Sequence, residues 1–213
     1  MQQILLCGFE PFAGEALNPS MALLEALSAS RIKGVELHTL LLPVVRGEAD
    51  EQLLAAIDAL SPDHLLMFGE AGGRAKITPE RVAINVDDYR IADNAGHQPR
   101  GEPVVAAGPV GYFSTLPINA MVAAMHAAGI PAAVSNSAGT YLCNRIFYRA
   151  MDHIARHAQH TRAGFVHVPY LHEQVEDKAA QTPSMSLPVL ISAAQQMIKV
   201  VVSRKRVVAA SHD

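Results

Sequence analysis

Short apolar runs alternate along this chain with segments whose apolar residues recur every three or four positions, and that alternation narrows the possible folds more than any other feature. The runs at 3–9, 35–42, 64–68 and 164–168 have the length and continuous apolar character of buried strands. Residues 82–86, with Val82, Ile84 and Val86 at period two, predict a fourth strand between the third and the last. Helices are predicted after Asn18-Pro19 with the stripe Met21, Leu24 and Leu27, and over 48–60 with Leu53, Leu54, Ile57 and Leu60 on one face. Pro117 opens another, with Met121, Val122 and Met125 inside and Gly129 at its end. Two more run from about Thr140 or Tyr141 to His157 and from Ser186 to Val202. Strands alternating with helices predict an α/β fold: a single-domain α/β/α sandwich over residues 1–202 with a largely parallel, mixed central sheet and helices on both faces. The polar segment 87–111 is long for a connection and reads as a lid, a binding loop or a small excursion with its own hairpin. Residues 203–213, with Arg204, Lys205 and Arg206, read as a solvated tail.

Composition limits what such a fold binds. The net charge is -3 and the pI about 6.3, so the chain lacks the basic field that nucleic acid or an anionic membrane surface requires. A small or neutral ligand fits better. No stretch approaches the roughly 18 uninterrupted apolar residues of a membrane span. The N-terminus reads as a first strand rather than a signal peptide. Two cysteines, Cys7 and Cys143, cannot staple a chain this long, which points to free thiols in a reducing cytoplasm.

The segment 131–152 is where chemistry concentrates. Turn and cap residues from Ser135 to Thr140 precede a helix whose stripe includes Cys143, Ile146, Phe147, Ala150 and Ile154. Cys143 thus falls in the first turn, where free N–H groups and the positive dipole end favour a thiolate; a small buried hydrophobe is the plain alternative. In an open α/β sheet, ligands collect at the C-terminal ends of the strands. His167, at the end of the last strand, is the base placed to take the thiol proton. A third group would fix its tautomer, and Glu10, Glu70 and Glu80 are all candidates on loops at that edge. His153, His157 and His160 have a spacing that resembles metal ligands, yet histidines near a helix C-terminus suit the dipole anyway, so no metal is expected. The GEAGGR turn at 69–74 matches neither the dinucleotide fingerprint nor the Walker pattern, and ITPE follows where a helix ought to begin.

Four blocks, GFEPFAGEALNPS at 8–20, GEAGGRAKITPERVAIN at 69–85, SNSAGTYLCN at 135–144 and GFVHVPYLHEQ at 164–174, make the chain resemble the pyroglutamyl peptidase I (pyrrolidone-carboxylate peptidase) family over nearly its whole length. The resemblance implies a cysteine peptidase that removes an N-terminal pyroglutamyl residue from peptides, with no metal or organic cofactor. It implies Cys143 as nucleophile, His167 as base and Glu80, rather than Glu10 or Glu70, as the third member. It also implies Arg90 near the reacting carbonyl, Phe9 and Phe12 as walls of the lactam pocket, and Asn18 as a hydrogen-bonding partner of the ring. Two positions depart from the family pattern: Glu70, a charge beside a neutral ligand where an uncharged residue is common, and Ala13, where Gly is common. Relatives are often homo-oligomers, so a dimer or tetramer is expected, with residues 112–116 or the C-terminal helix as the interface. Two other functions stay open on the fold alone: a nucleoside phosphorylase-like group-transfer enzyme, and a pyroglutamyl-binding protein without turnover.

Overall fold

The structure, a computed structural model, describes residues 1–157 and 160–203. The expected strands and helices form at or close to their predicted places: β1 (Gln2–Phe9), α1 (Pro19–Ser28), β2 (Val35–Leu42), α2 (Glu48–Leu60) and β3 (His64–Glu70). Short strands follow: β4 (Thr78–Pro79), β5 (Val82–Ile84), β6 (Asp87–Asp88), β7 (Arg100–Glu102) and β8 (Gly111–Phe113). The chain then runs through α3 (Ile118–Ala127), α4 (Leu142–Arg156), β9 (Arg162–Val168) and α5 (Leu187–Ser203). Beyond Ser203 the expected tail lies outside the described residues.

The central sheet has the order β2-β1-β3-β9-β4, parallel throughout except for β4 on β9. Because side chains alternate across a pleat, each strand feeds two cores. Ile4, Leu6, Leu66, Phe68, Val166 and Val168 pack with α1, α3 and α5. Leu5, Cys7, Phe9, Leu65, Met67 and Phe165 pack on the other side with α2 and α4. His167 follows Val166 and so faces the α4 side, a placement set by strand parity. Among the described residues, no helix is long and apolar enough to cross a membrane.

Residues 82–84 do form a strand, but it is not the fourth strand of the sheet. It pairs antiparallel with β8 in a separate ribbon. The edge of β9 is taken by β4, with Thr78 opposite His167 and Pro79 opposite Val166, and Glu80 N–H extends that ladder by donating to Phe165 O at 2.8 Å. Two residues carry no periodicity, so the hydrophobic pattern pointed past β4 to the stronger alternation beyond it. The 87–111 segment carries its own antiparallel pair, β6 with β7. A buried ionic cluster fastens it to α4: Arg145 donates to Asp50, to Asp87 on β6 and thus to the excursion itself, while Arg46 bridges Asp87 and Glu102. Such a cluster adds little net stability, but removing one partner strands a buried charge, so it fixes where α4 begins.

Candidate active site

The site grows from the start of α4. Tyr141 is the N-cap and its side chain makes no capping bond, leaving the first N–H groups of the helix free, with Cys143 second in the helix. The loop in front is fastened to the excursion by Thr140, which donates through Oγ1 to Asp88 O at 2.8 Å and accepts from Asp88 N–H at 3.0 Å. The sulfur passes close to β3: a Cβ on Gly69 would lie 2.9 Å from Cys143 Sγ and 2.7 Å from the Phe165 ring. A side chain at position 69 would therefore push the thiol out of place.

His167, 5 % exposed, lies on the end of β9 with its ring tilted over Phe165, centroids 4.9 Å apart. Its Nδ1 is 2.7 Å from Oε1 of the fully buried Glu80. A carboxylate can only accept, so Nδ1 carries the hydrogen and Nε2 keeps the lone pair. Burial lowers the His167 pKa, with Arg74 acting in the same sense and the Glu80 contact opposing, so the imidazole is neutral at pH 7. For Glu80, burial acts to raise the pKa, but hydrogen bonding and charge from His167, with Ser135 and Arg74, outweigh it and hold the carboxyl below its ordinary range. Among the described residues Glu80 Oε2 is buried with no donor at bonding geometry; the Ser135 hydroxyl lies near enough to favour the carboxylate charge but donates to Ser137 O, at 3.2 Å.

Cys143 and His167 line one cavity of about 280 Å³, together with Phe9, Phe12, Asn18, Glu70, Arg74 and Tyr141. Burial foremost, then the charges of Glu70 and Glu80, push the Cys143 thiol up to about 12 against smaller opposing effects of Arg74 and a backbone N–H, a direction opposite to the one the helix start alone would give. Desolvation exceeds the dipole here, so at neutral pH the thiol keeps its proton unless a neighbouring base takes it. Cys7, on β1, is fully buried and pushed up further by burial alone.

The other expected residues divide. Phe9 is buried and anchored by its N–H donating to Ser20 Oγ at 2.9 Å, and Phe12 tilts against Tyr141. Asn18 caps α1: its Oδ1 accepts from Ser20 N–H and Oγ–H, and its Nδ2 donates to Glu10 O at 3.0 Å, leaving one N–H for a ligand. Glu70 accepts from Gln174 Nε2 at 2.8 Å, and burial raises its pKa. Arg90 is exposed and absent from the cavity wall; its charge is felt at Tyr141, which lines the cavity, and at Tyr170. Glu10 is exposed and gives the site only its carbonyl. The histidines with metal-like spacing turn to separate partners: His153 to Asp58, His157 to His153 O, and His160 towards Asp63. Sequence reasoning missed Arg74 and Tyr141, although both lie inside blocks it had singled out.

A family model described as pyroglutamyl peptidase matches residues 2–204. The pyrrolidone-carboxylate peptidase of Vibrio vulnificus (strain YJ016) is 49 % identical over 198 residues, covering 93 % of this chain and 92 % of that protein. That of Streptococcus pyogenes serotype M4 is 48 % identical over 185 residues, covering 87 % and 85 %. Among solved structures, pyroglutamyl peptidase I of Bacillus amyloliquefaciens superposes with a TM-score of 0.92 at 41 % identity, over 96 % of this chain and 98 % of the other. A mutant pyrrolidone carboxyl peptidase of Pyrococcus furiosus gives 0.91 at 40 % identity, over 94 % and 98 %.

Proposed function

Because the chain belongs to the pyroglutamyl peptidase family, we propose that Cys143 is its nucleophile, His167 its general base and acid, and Glu80 the carboxylate that orients His167. It is a cysteine peptidase acting on peptides with an N-terminal pyroglutamyl residue. The observation that carries the residue roles is the 2.7 Å contact between Glu80 and His167 Nδ1, on the wall of the cavity that Cys143 shares.

In this reading the lactam ring fills the slot between Phe9 and Phe12, and the remaining Asn18 N–H bonds its ring carbonyl. His167 Nε2 takes the thiol proton as Cys143 Sγ bonds to the pyroglutamyl carbonyl carbon. The carbonyl oxygen becomes an oxyanion held by the free N–H groups at the start of α4. Arg90 reaches it only by turning inward from the rim, so its loss costs less than loss of Cys143. The imidazolium, faced by Glu80, gives its proton to the departing amine as the C–N bond breaks, leaving a thioester. Water then attacks the thioester, passing a proton to Nε2, and the C–S bond breaks with that proton returned to sulfur. A phosphorolytic enzyme would need a cation free for an anionic substrate, whereas the cavity's Arg74 is committed to Glu80.

Two free thiols suit a cytoplasmic location. A second copy of the chain is the partner proposed for the face carrying Val110 and Phe113, which are 92 % and 70 % exposed. The test of the triad is release of aminomethylcoumarin from its pyroglutamyl amide by Cys143→Ala, His167→Ala and Glu80→Gln. Wild-type turnover by Cys143→Ala would end the proposal.

A further inference from the structure

We infer that Arg74 is a fourth member of this assembly, a positioning residue that pins the Glu80 oxygen to which His167 bonds and so fixes the tautomer and the proton-accepting state of the imidazole. The inference rests on His167 being the base.

The geometry is specific. Arg74 Nη1 donates to Glu80 Oε1 at 2.7 Å and to Thr78 Oγ1 at 2.6 Å, which uses both of its hydrogens. His167 Nδ1 meets the same Oε1 at 2.7 Å. Two donors converge on one oxygen while the other stays buried without a partner, so any rotation of the carboxylate short of a half-turn loses both bonds. Thr78 is the residue opposite His167 in the β4–β9 ladder, so the guanidinium clamps the backbone pair as well as the acid. Nη2 reaches weakly to Ser137 O, at 3.4 Å, in the loop leading to Cys143.

The groups around His167 are Glu80 and Arg74 beyond Nδ1, Cys143 on α4, and Glu70 at the end of β3. Only Arg74 among them is cationic. Its charge offsets that of Glu80, so the carboxylate orients the ring without drawing a proton onto it. Remove the cation and the carboxylate field acts on His167 undiluted. The imidazolium then persists to higher pH, and the base is lost over a range where the wild type works.

The sign follows directly. Attack requires neutral His167, so kcat/KM rises with pH through the His167 titration, and Arg74→Met moves that acid limb upward. The experiment measures kcat/KM against pH for the wild type, Arg74→Met and Arg74→Lys, alongside NMR titration of the His167 ring in each within a Cys143→Ala background. The expected result is that Arg74→Met shifts limb and ring titration upward together, with kcat/KM down about ten- to a hundredfold at pH 6 and less at pH 8. Arg74→Lys, which keeps the charge but not the fork, restores the titration more than the rate. If activity falls while neither limb nor ring titration moves in a folded variant, Arg74 merely braces the loop and the inference is overturned. If the ring titration moves while the limb does not, the tuning stands and His167 is not the base.

Discussion

Glu80→Gln separates holding the imidazole from charging it. The amide oxygen can replace Oε1 and accept from both His167 Nδ1 and Arg74 Nη1, each now at 2.7 Å. The amide nitrogen then takes the Oε2 position, which is buried and bonded to nothing. Turning the amide over would set its N–H2 against two donors at once, so Arg74 holds the productive tautomer. What is lost is the carboxylate charge facing the transient imidazolium. A hydrogen bond to a charged group is worth about 1.5–3 kcal/mol, which converts to roughly a 10- to 150-fold fall in kcat. In serine peptidases, the equivalent amide substitution costs about ten-thousandfold because the wrong tautomer forms. Here that larger loss should require Glu80→Gln together with Arg74→Met, which frees the amide to turn, so the double variant should lose more activity than the two single losses multiplied together. Coumarin release at pH 7.5 measures both, and thermal unfolding checks an expected stability cost of about 1–3 kcal/mol for the stranded N–H2 group. A ten-thousandfold loss in the single variant, or losses that simply multiply, would refute the reasoning.

Other expectations follow from the same geometry. Iodoacetamide should modify Cys143 in step with the His167 titration; in His167→Ala the rate should climb only towards the thiol's own pKa of about 12, and equal rates at neutral pH would contradict this. Cys7 should stay unlabelled while the protein is folded, as peptide mass analysis would reveal. Glu70→Gln removes a charge that pushes the Cys143 thiol up, so the thiol should alkylate faster at fixed pH in that variant; a slower reaction would sink the electrostatic account. Ala13 has φ 55, a left-handed conformation costing a residue with a Cβ about 1–2 kcal/mol, so Ala13→Gly should leave the melting temperature unchanged or raise it, and a clear drop would be the adverse result.

Much of this was legible in the chain because local pattern and tertiary role agree. Val35–Leu42 and Glu48–Leu60 form over the predicted spans, since their periodicity is also what the sheet and the α2 face require. His167 could be assigned to the sheet end from a five-residue run. Its face depended on register, which only pairing defines. Thr78–Pro79 was invisible because two residues have no period, and Arg74 because an arginine in a Gly-rich turn resembles any solvated cation until Glu80 is seen beside it. The thiol misled in the opposite way: its helix position is as predicted, but the dipole argument left out the burial and the carboxylates that surround it.

The sheet order has a consequence for synthesis. β9 lies between β3 and β4, both of which leave the ribosome long before it. A nascent chain can pair β1 to β3 early, yet β4 keeps an unfilled edge until residues 162–168 emerge. Since that insertion also delivers the imidazole to its carboxylate, a polypeptide released prematurely would carry the sulfur and the acid but no proton acceptor. Hydrolysis should begin only when the final strand has been threaded into place.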